Sequence, residues 1–124
     1  MPNAAHAFFA ARQAHSDVAV LFCGSLKHLG EHEVRGDLRS FSAPYAVTSG
    51  VVFAGASDMS FAYYRLNATD RAIALQTGAE TTDLGEEWVR LTLFRANWPQ
   101  FDLGHWALRA YDYARTGAQS PQQT

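Results

Sequence analysis

The feature that most constrains this chain is a series of four runs rich in β-branched and aromatic residues, at positions 46–56, 61–66, 71–77 and 87–95. Runs of this composition and length are typical of β-strands. The connectors at 57–58 and 67–70 are short enough for hairpins, which join antiparallel neighbours. The sequence therefore predicts an antiparallel β-meander over the second half of the chain.

The first half gives weaker signals. Asn3 is a candidate cap for an N-terminal helix that runs to Ala14. The continuous apolar run at 18–23 predicts a strand buried on both faces. Residues 26–35 fit either a short helix between Ser25 and Gly36 or a loop followed by a strand, and residues 37–41 fit a short strand.

The clearest helical signal lies near the C-terminus. Asp102 has the position of an N-cap, and the apolar residues after it recur at helical spacing, namely Leu103, Trp106, Ala107, Ala110, Tyr111 and Ala114. This pattern predicts a helix over 103–115 whose apolar face lies on the sheet. The polar residues 118–124 are expected to form a flexible tail.

These segments together define one domain. A chain of 124 residues has room for a single core, which we place at residues 1–117. The predicted class is α+β, with an antiparallel β-meander of about five or six strands. An N-terminal helix and a C-terminal amphipathic helix are expected to be packed on one face.

Charge and composition exclude several classes of partner. The net charge is −2 and the ten basic residues are dispersed, so we expect no nucleic acid to bind. No apolar stretch is long enough for a membrane span and no secretory signal is evident, which favours a cytoplasmic protein. Lys27 is the only lysine among the ten basic residues. The remaining nine, all arginines, favour bidentate contacts with carboxylates.

One short motif indicates catalysis. His28, Glu31 and His32 fit the pattern H-x-x-E-H, in which two histidines on one helical face hold zinc and the glutamate activates a water. Gly30 disfavours the helix that the motif requires. A small metal-dependent hydrolase that uses His28 and His32 with Glu31 is therefore kept only as the alternative function.

Alternation within the strands points to a binding surface instead. One predicted sheet face is aliphatic and should meet the helices. The other combines aromatic, small and basic side chains, including Phe61, Tyr63, Arg65, Ala72, Ala74, Trp88, Arg90 and Phe94. A solvated face would be more charged and less aromatic, so a second subunit, a ligand or the chain's own N-terminal segments should cover it.

The resulting functional hypothesis is a non-catalytic binding or protein-interaction module on the open sheet face. Its predicted site residues are Tyr63, Arg65, Trp88 and Arg90. The arginines favour a carboxylate-bearing small molecule or an acidic segment of a partner protein. We expect no cofactor. We also expect a homodimer, since a monomer of this size could not easily hide such a face.

Overall fold

A computed structural model describes residues 4–36, 40–94 and 102–119. Within these ranges the chain forms four helices and one five-stranded antiparallel sheet, which confirms the α+β class. In chain order the elements are α1 (Ala4–Ala10), α2 (Ser16–Gly24), β1 (Glu33–Arg35), β2 (Tyr45–Thr48), β3 (Val51–Ser57), β4 (Phe61–Arg65), α3 (Ala68–Gln76), β5 (Trp88–Thr92) and α4 (Leu103–Gln119).

The strands lie side by side in the order in which they occur in the chain, and every neighbouring pair is antiparallel. β2 and β3 are joined by Ser49 and Gly50, whose φ angles are 52° and 76°. Two consecutive positive φ values are typical of the type I′ turn, whose twist matches that of the strands it joins. The predicted meander is therefore present, although α3 is inserted between β4 and β5.

A β-bulge changes the register between β2 and β3. Ala46 pairs with Ala54, but Val47 pairs with Val52, so Phe53 has no partner of its own in β2. Phe53 is fully buried, and its ring centroid lies 5.7 Å from that of Tyr111 in α4. The bulge therefore supplies an additional aromatic contact between the sheet and the C-terminal helix.

The predicted C-terminal helix is confirmed as α4. Asp102 caps it, because its Oδ1 accepts a hydrogen bond from the backbone N–H of His105 at 3.0 Å. The helix contacts β2, β3 and β4, and all six apolar positions identified by spacing are buried. It extends to Gln119, beyond the predicted end at Arg115, and residues 120–124 lie outside the described ranges.

No helix in the described ranges is long and apolar enough to cross a membrane.

The run at 18–23 was wrongly predicted as a strand and lies instead in α2. His15 caps this helix, since its Nδ1 accepts the N–H of Asp17 at 3.1 Å. A short apolar run fits a buried strand and a helix equally well, because periodicity does not separate them over six residues. Val18, Ala19 and Phe22 face the core, but Val20 and Leu21 are exposed.

The run at 71–77 was also wrongly predicted as a strand, and most of it lies in α3. Asn67, assigned to a hairpin connector, is the N-cap, and its Oδ1 accepts the N–H of Asp70 at 2.8 Å. Alanine and leucine favour helices, and this local preference outweighs the short alternation on which the strand prediction rested. Ala72 and Ala74 are consequently not part of the sheet face.

The alternative left open for residues 26–35 is also decided. Residues 26–35 form turns followed by the edge strand β1, as in the second of the two readings. Of the short strand predicted at 37–41, residues 37–39 lie outside the described ranges, and Ser40 and Phe41 are not in a strand.

The two N-terminal helices cover opposite faces of the sheet. Phe9 of α1 lies on the face that carries Tyr45, Gly55 and Tyr63, which are cross-strand neighbours. Phe22 of α2 packs against Tyr64, which follows Tyr63 in β4 and so points to the other side. Both faces of the central strands are therefore covered.

Phe9 approaches the sheet at Gly55, the one position in β3 without a side chain. A Cβ built on Gly55 would overlap the phenyl ring of Phe9. The same ring lies 5.8 Å from Tyr45, 5.4 Å from Tyr63 and 6.1 Å from Trp88, measured between ring centroids. Glycine at position 55 therefore lets α1 sit close to the sheet.

We expect Phe9→Ala to lower the free energy of unfolding by about 3–5 kcal/mol, because it empties a fully buried aromatic site. Urea denaturation of wild type and variant measures the difference. Phe8→Ala, one residue earlier in the same helix, removes an equally large but only partly buried ring and should cost clearly less. Equal losses for the two variants would contradict the described position of α1.

Candidate functional site

The four predicted site residues lie on the same face of β4 and β5. The register of these strands pairs Tyr63 with Arg90 and Arg65 with Trp88. Directly opposed residues of an antiparallel pair point to the same side, and residues two apart in one strand do so as well. The four residues are therefore neighbours, and their environments separate them into a covered aromatic pair and two arginines.

The aromatic pair is covered by the chain itself. Tyr63 and Trp88 are both buried, and α1 lies over them. Phe8 and Phe9 contact Tyr63 with ring centroids 5.3 and 5.4 Å away, and Phe9 also reaches Trp88. Burial raises the pKa of Tyr63 above its ordinary value. The cover predicted for this face is thus supplied by the N-terminal helix.

Arg90 is held by an acidic residue from the segment before β5. Its Nε and one terminal nitrogen both donate to Glu80 Oε1, each at 3.2 Å. Thr92 donates to the same oxygen at 2.9 Å, and the guanidinium lies 4.2 Å from the ring centroid of Phe61. Backbone hydrogen bonds between Glu80 and Arg90 attach this segment to the outer edge of β5. Arg90 therefore has a structural role at that edge.

Arg65 belongs to a second cluster, at the other end of the same strands. Its Nε donates to Glu87 Oε1 at 3.0 Å, and Tyr113 of α4 donates to Glu87 Oε2 at 2.6 Å. The guanidinium carbon lies 4.5 Å from the centroid of the Tyr113 ring. The hydrogen bond to Glu87, together with burial, raises the pKa of Tyr113. Arg65, Glu87 and Tyr113 thus connect β4, the start of β5 and α4.

A groove of about 340 Å³ lies beside Arg65. It runs between the first residues of α1, the β2–β3 turn and the loop that leads into β5. Two of the predicted site residues, Arg65 and Trp88, are among its lining residues, together with Ala4, Ala5, Gly50, Val51, Val52, Leu84, Gly85, Glu86 and Glu87. The lining combines small and apolar side chains with one arginine and two glutamates, a composition suited to holding a small polar molecule.

A larger and more open concavity of about 740 Å³ lies at the opposite end of α1, and no predicted site residue lines it. Its wall includes the exposed residues Phe41 and Met59, together with Arg12, His15 and Asp58. Phe41 and Asp58 both adopt positive φ angles of 59°. Arg12 stacks on the Phe8 ring and Asp58 accepts a hydrogen bond from Ser57, so the Arg65 groove is the stronger candidate site.

Sequence reasoning missed the partners of both arginines. Glu80 lies in the connector before β5, and Glu87 comes directly before that strand. Glu87 is half exposed, yet it bonds to Arg65. The sequence signal for these ion pairs was a glutamate near each end of the pair of strands, β4 and β5, that carries the two arginines. Using it required the β4–β5 register, which a single sequence does not supply.

The H-x-x-E-H segment does not form the helix on which zinc binding depends. His28 lies in a turn, and His32 precedes β1. The ring of His32 packs against those of Phe53 and Tyr111, with centroids 6.4 and 6.5 Å away, and its Nδ1 lies 2.7 Å from the carbonyl oxygen of Gly30. Among the residues that the structure describes, no three His, Cys, Asp or Glu side chains are grouped to hold a metal ion.

Comparison with protein-family models, with curated proteins and with solved structures gave no match.

The raised pKa of Tyr113 has a testable consequence. The Tyr113 phenol keeps its proton to higher pH in the native protein than in the unfolded chain. Its contribution to the free energy of unfolding is therefore complete below about pH 10, the ordinary pKa of tyrosine. That contribution is lost as the pH rises through the native pKa. Glu87→Gln should lower the pKa of Tyr113, since the charged acceptor is removed.

The pKa of Tyr113 is measured from the ultraviolet absorbance of each protein as a function of pH. The same titration of a protein that also carries Tyr113→Phe is subtracted, so that only the signal of Tyr113 remains. Glu86→Gln is the control, because Glu86 is the adjacent acid and Tyr113 bonds to Glu87. A pKa of Tyr113 that does not respond to Glu87→Gln, or responds equally to both variants, would contradict the described cluster.

Proposed function

We propose that this protein is a non-catalytic binding module whose ligand occupies the Arg65 groove, and that the ligand is a small zwitterion carrying a carboxylate, such as an amino acid. The observation that carries the proposal is the position of Arg65 in the wall of a concave site, with Trp88 and two glutamates beside it. A cytoplasmic location and the lack of a nucleic-acid partner remain predictions that accompany it.

The shape of the surface favours a small ligand over an acidic segment of a partner protein. A partner segment would need a broad and exposed face, but α1 covers the aromatic part of this one, where Tyr63 and Trp88 are buried. The accessible part is the groove at the start of α1, where Ala4 and Ala5 form part of the wall. Concave sites of this size are typical of small-molecule binding.

Arg65 supplies the group that would bind a carboxylate. A guanidinium has five N–H donors. In the described part of the chain the only side-chain hydrogen bond of Arg65 is the one from Nε to Glu87. The terminal nitrogens therefore remain to form a bidentate pair with a ligand carboxylate, the geometry in which arginine binds most strongly.

The acids of the groove favour a ligand that also carries a positive charge. Arg65 contributes +1, while Glu86 and Glu87 contribute −1 each, so the lining residues that the structure describes have a net charge of −1. A simple anion would be repelled by Glu86, which is exposed. An ammonium group on the same ligand would instead be attracted by it. This combination of charges is the reason for proposing a zwitterion.

The alternative function, a metal-dependent hydrolase, has less support. The two histidines of its motif lie in a turn and just before a strand, and the ring of His32 is engaged by Phe53 and Tyr111. Neither His28 nor His32 lines the Arg65 groove.

The first experiment is a thermal-shift screen of amino acids against simple carboxylates of similar size. A ligand that binds only the folded state raises the melting temperature, and amino acids should give the larger rise. Arg65→Gln should abolish the rise. Arg90→Gln is the matched control, because Arg90 lies on the same sheet face and is also paired with a glutamate, but lies outside the groove.

The proposal fails if no zwitterion raises the melting temperature, or if Arg65→Gln retains the rise. Loss of the rise in both variants would also overturn the groove assignment, and would indicate the wider four-residue site that includes Tyr63 and Arg90.

The two glutamates give a second, directional test by calorimetric titration. Glu87→Gln should raise affinity for carboxylates, because Arg65 no longer has a competing intramolecular carboxylate. Glu86→Gln should reduce the preference for amino acids over simple carboxylates, because the partner of the ammonium group is removed. A lower affinity for carboxylates in Glu87→Gln, or a stronger preference for amino acids in Glu86→Gln, would mean that the ligand does not bind in this groove.

A further inference from the structure

α2 has an apolar face that no element of the described chain covers. Val20 is 70% exposed and Leu21 43% exposed, although both lie in the middle of this helix. Gly24 belongs to the same stripe, since positions 17, 20, 21 and 24 share one side of a helix, and a Cβ built on Gly24 meets no atom within 4 Å. A helix that is apolar on all sides is typically buried on all sides.

Charged residues stand at both ends of this stripe. Asp17, in the first turn of α2, has a side chain that is 79% exposed. Lys27 is exposed in the helical turns that continue the chain past Gly24, where its backbone N–H bonds to the carbonyl of Gly24. The order along the surface is therefore acid, apolar side chains, glycine and base.

This order is self-complementary under a two-fold axis. Two copies of α2 can pack antiparallel with the two-fold axis at the level of Phe22 along the helix. Asp17 of one copy then lies opposite Lys27 of the other. In the same register Val20 lies opposite Gly24, so that each valine enters the space that the other copy's glycine leaves open. The symmetry repeats every contact twice, as an isologous interface requires.

We propose that the outer face of α2 is the surface on which a second copy of this chain docks. None of these α2 residues lines the Arg65 groove. It also moves the expected homodimer interface away from the aromatic sheet face, since α1 already covers that face. Charge complementarity between Asp17 and Lys27 fixes the antiparallel register, and Val20 and Leu21 supply the buried apolar area.

The contact between the two helices is small, so we expect the dimer to be weak. A nine-residue helix is about 14 Å long, so the area buried lies at the low end for specific interfaces. We therefore expect a reversible dimer whose population rises with protein concentration.

Sedimentation velocity over a range of micromolar concentrations tests the proposal with five variants, one of which is a control. Val20→Glu should raise the dissociation constant roughly tenfold or more, because docking would bury an unpaired carboxylate. Ile73→Glu is the control, because Ile73 is also an exposed aliphatic residue, at 46%, but lies on α3. Gly24→Leu should weaken the dimer without lowering the melting temperature of the dilute protein, since its side chain has open space in the monomer.

The charged pair tests the register. Lys27→Glu should weaken association by gathering four acids at the interface, and the double variant Asp17→Lys with Lys27→Glu should restore it. Circular dichroism confirms that each variant folds. A monomer at every concentration would overturn the proposal. So would a dimer that Val20→Glu and Gly24→Leu leave intact, or a double variant no stronger than Lys27→Glu.

Discussion

The contact between Phe9 and Gly55 is the constraint on which the rest of this structure depends. The phenyl ring can lie against the sheet only because β3 has no Cβ at that point. Once seated, the ring contacts Tyr45, Tyr63 and Trp88, which belong to β2, β4 and β5. Together with Gly55 of β3, one side chain from a seven-residue helix therefore contacts four strands. A helix this short is marginal in isolation, so tertiary packing must stabilise it.

The position of α1 also determines where the remaining polar chemistry lies. Because the helix covers the middle of the face, the two arginines are left at the margins, and each is neutralised by a glutamate from outside the sheet. Such partly exposed ion pairs contribute little to stability. The two ion pairs instead hold particular segments in place, and the segment differs between Arg90 and Arg65. Arg90 attaches an edge segment through Glu80, whereas Arg65 lies in a groove whose wall is completed by the first residues of α1.

How much of this could be predicted depended on whether a pattern was long enough to define its period. The α4 sequence presents apolar residues over several turns, and its cap and buried face were both predicted correctly. Residues 18–23 and 71–77 are too short for that, and each was assigned to the wrong element. Within the site, alternation placed Tyr63 with Arg65 and Trp88 with Arg90. The partners Glu80, Glu87 and Tyr113 depend on strand register and on helix docking, which are tertiary properties.

The central claim, that α1 covers the aromatic sheet face through Phe9 at Gly55, is tested most directly by nuclear magnetic resonance of the native protein. The Gly55 hydrogen that occupies the Cβ direction points at the Phe9 ring. We predict strong nuclear Overhauser effects between the Phe9 ring protons and the Gly55 α-protons, together with a ring-current shift of one α-proton that disappears in Phe9→Leu. Gly55 α-protons at ordinary strand shifts, with no Overhauser effect to Phe9, would contradict this account of the fold and of the groove that α1 completes.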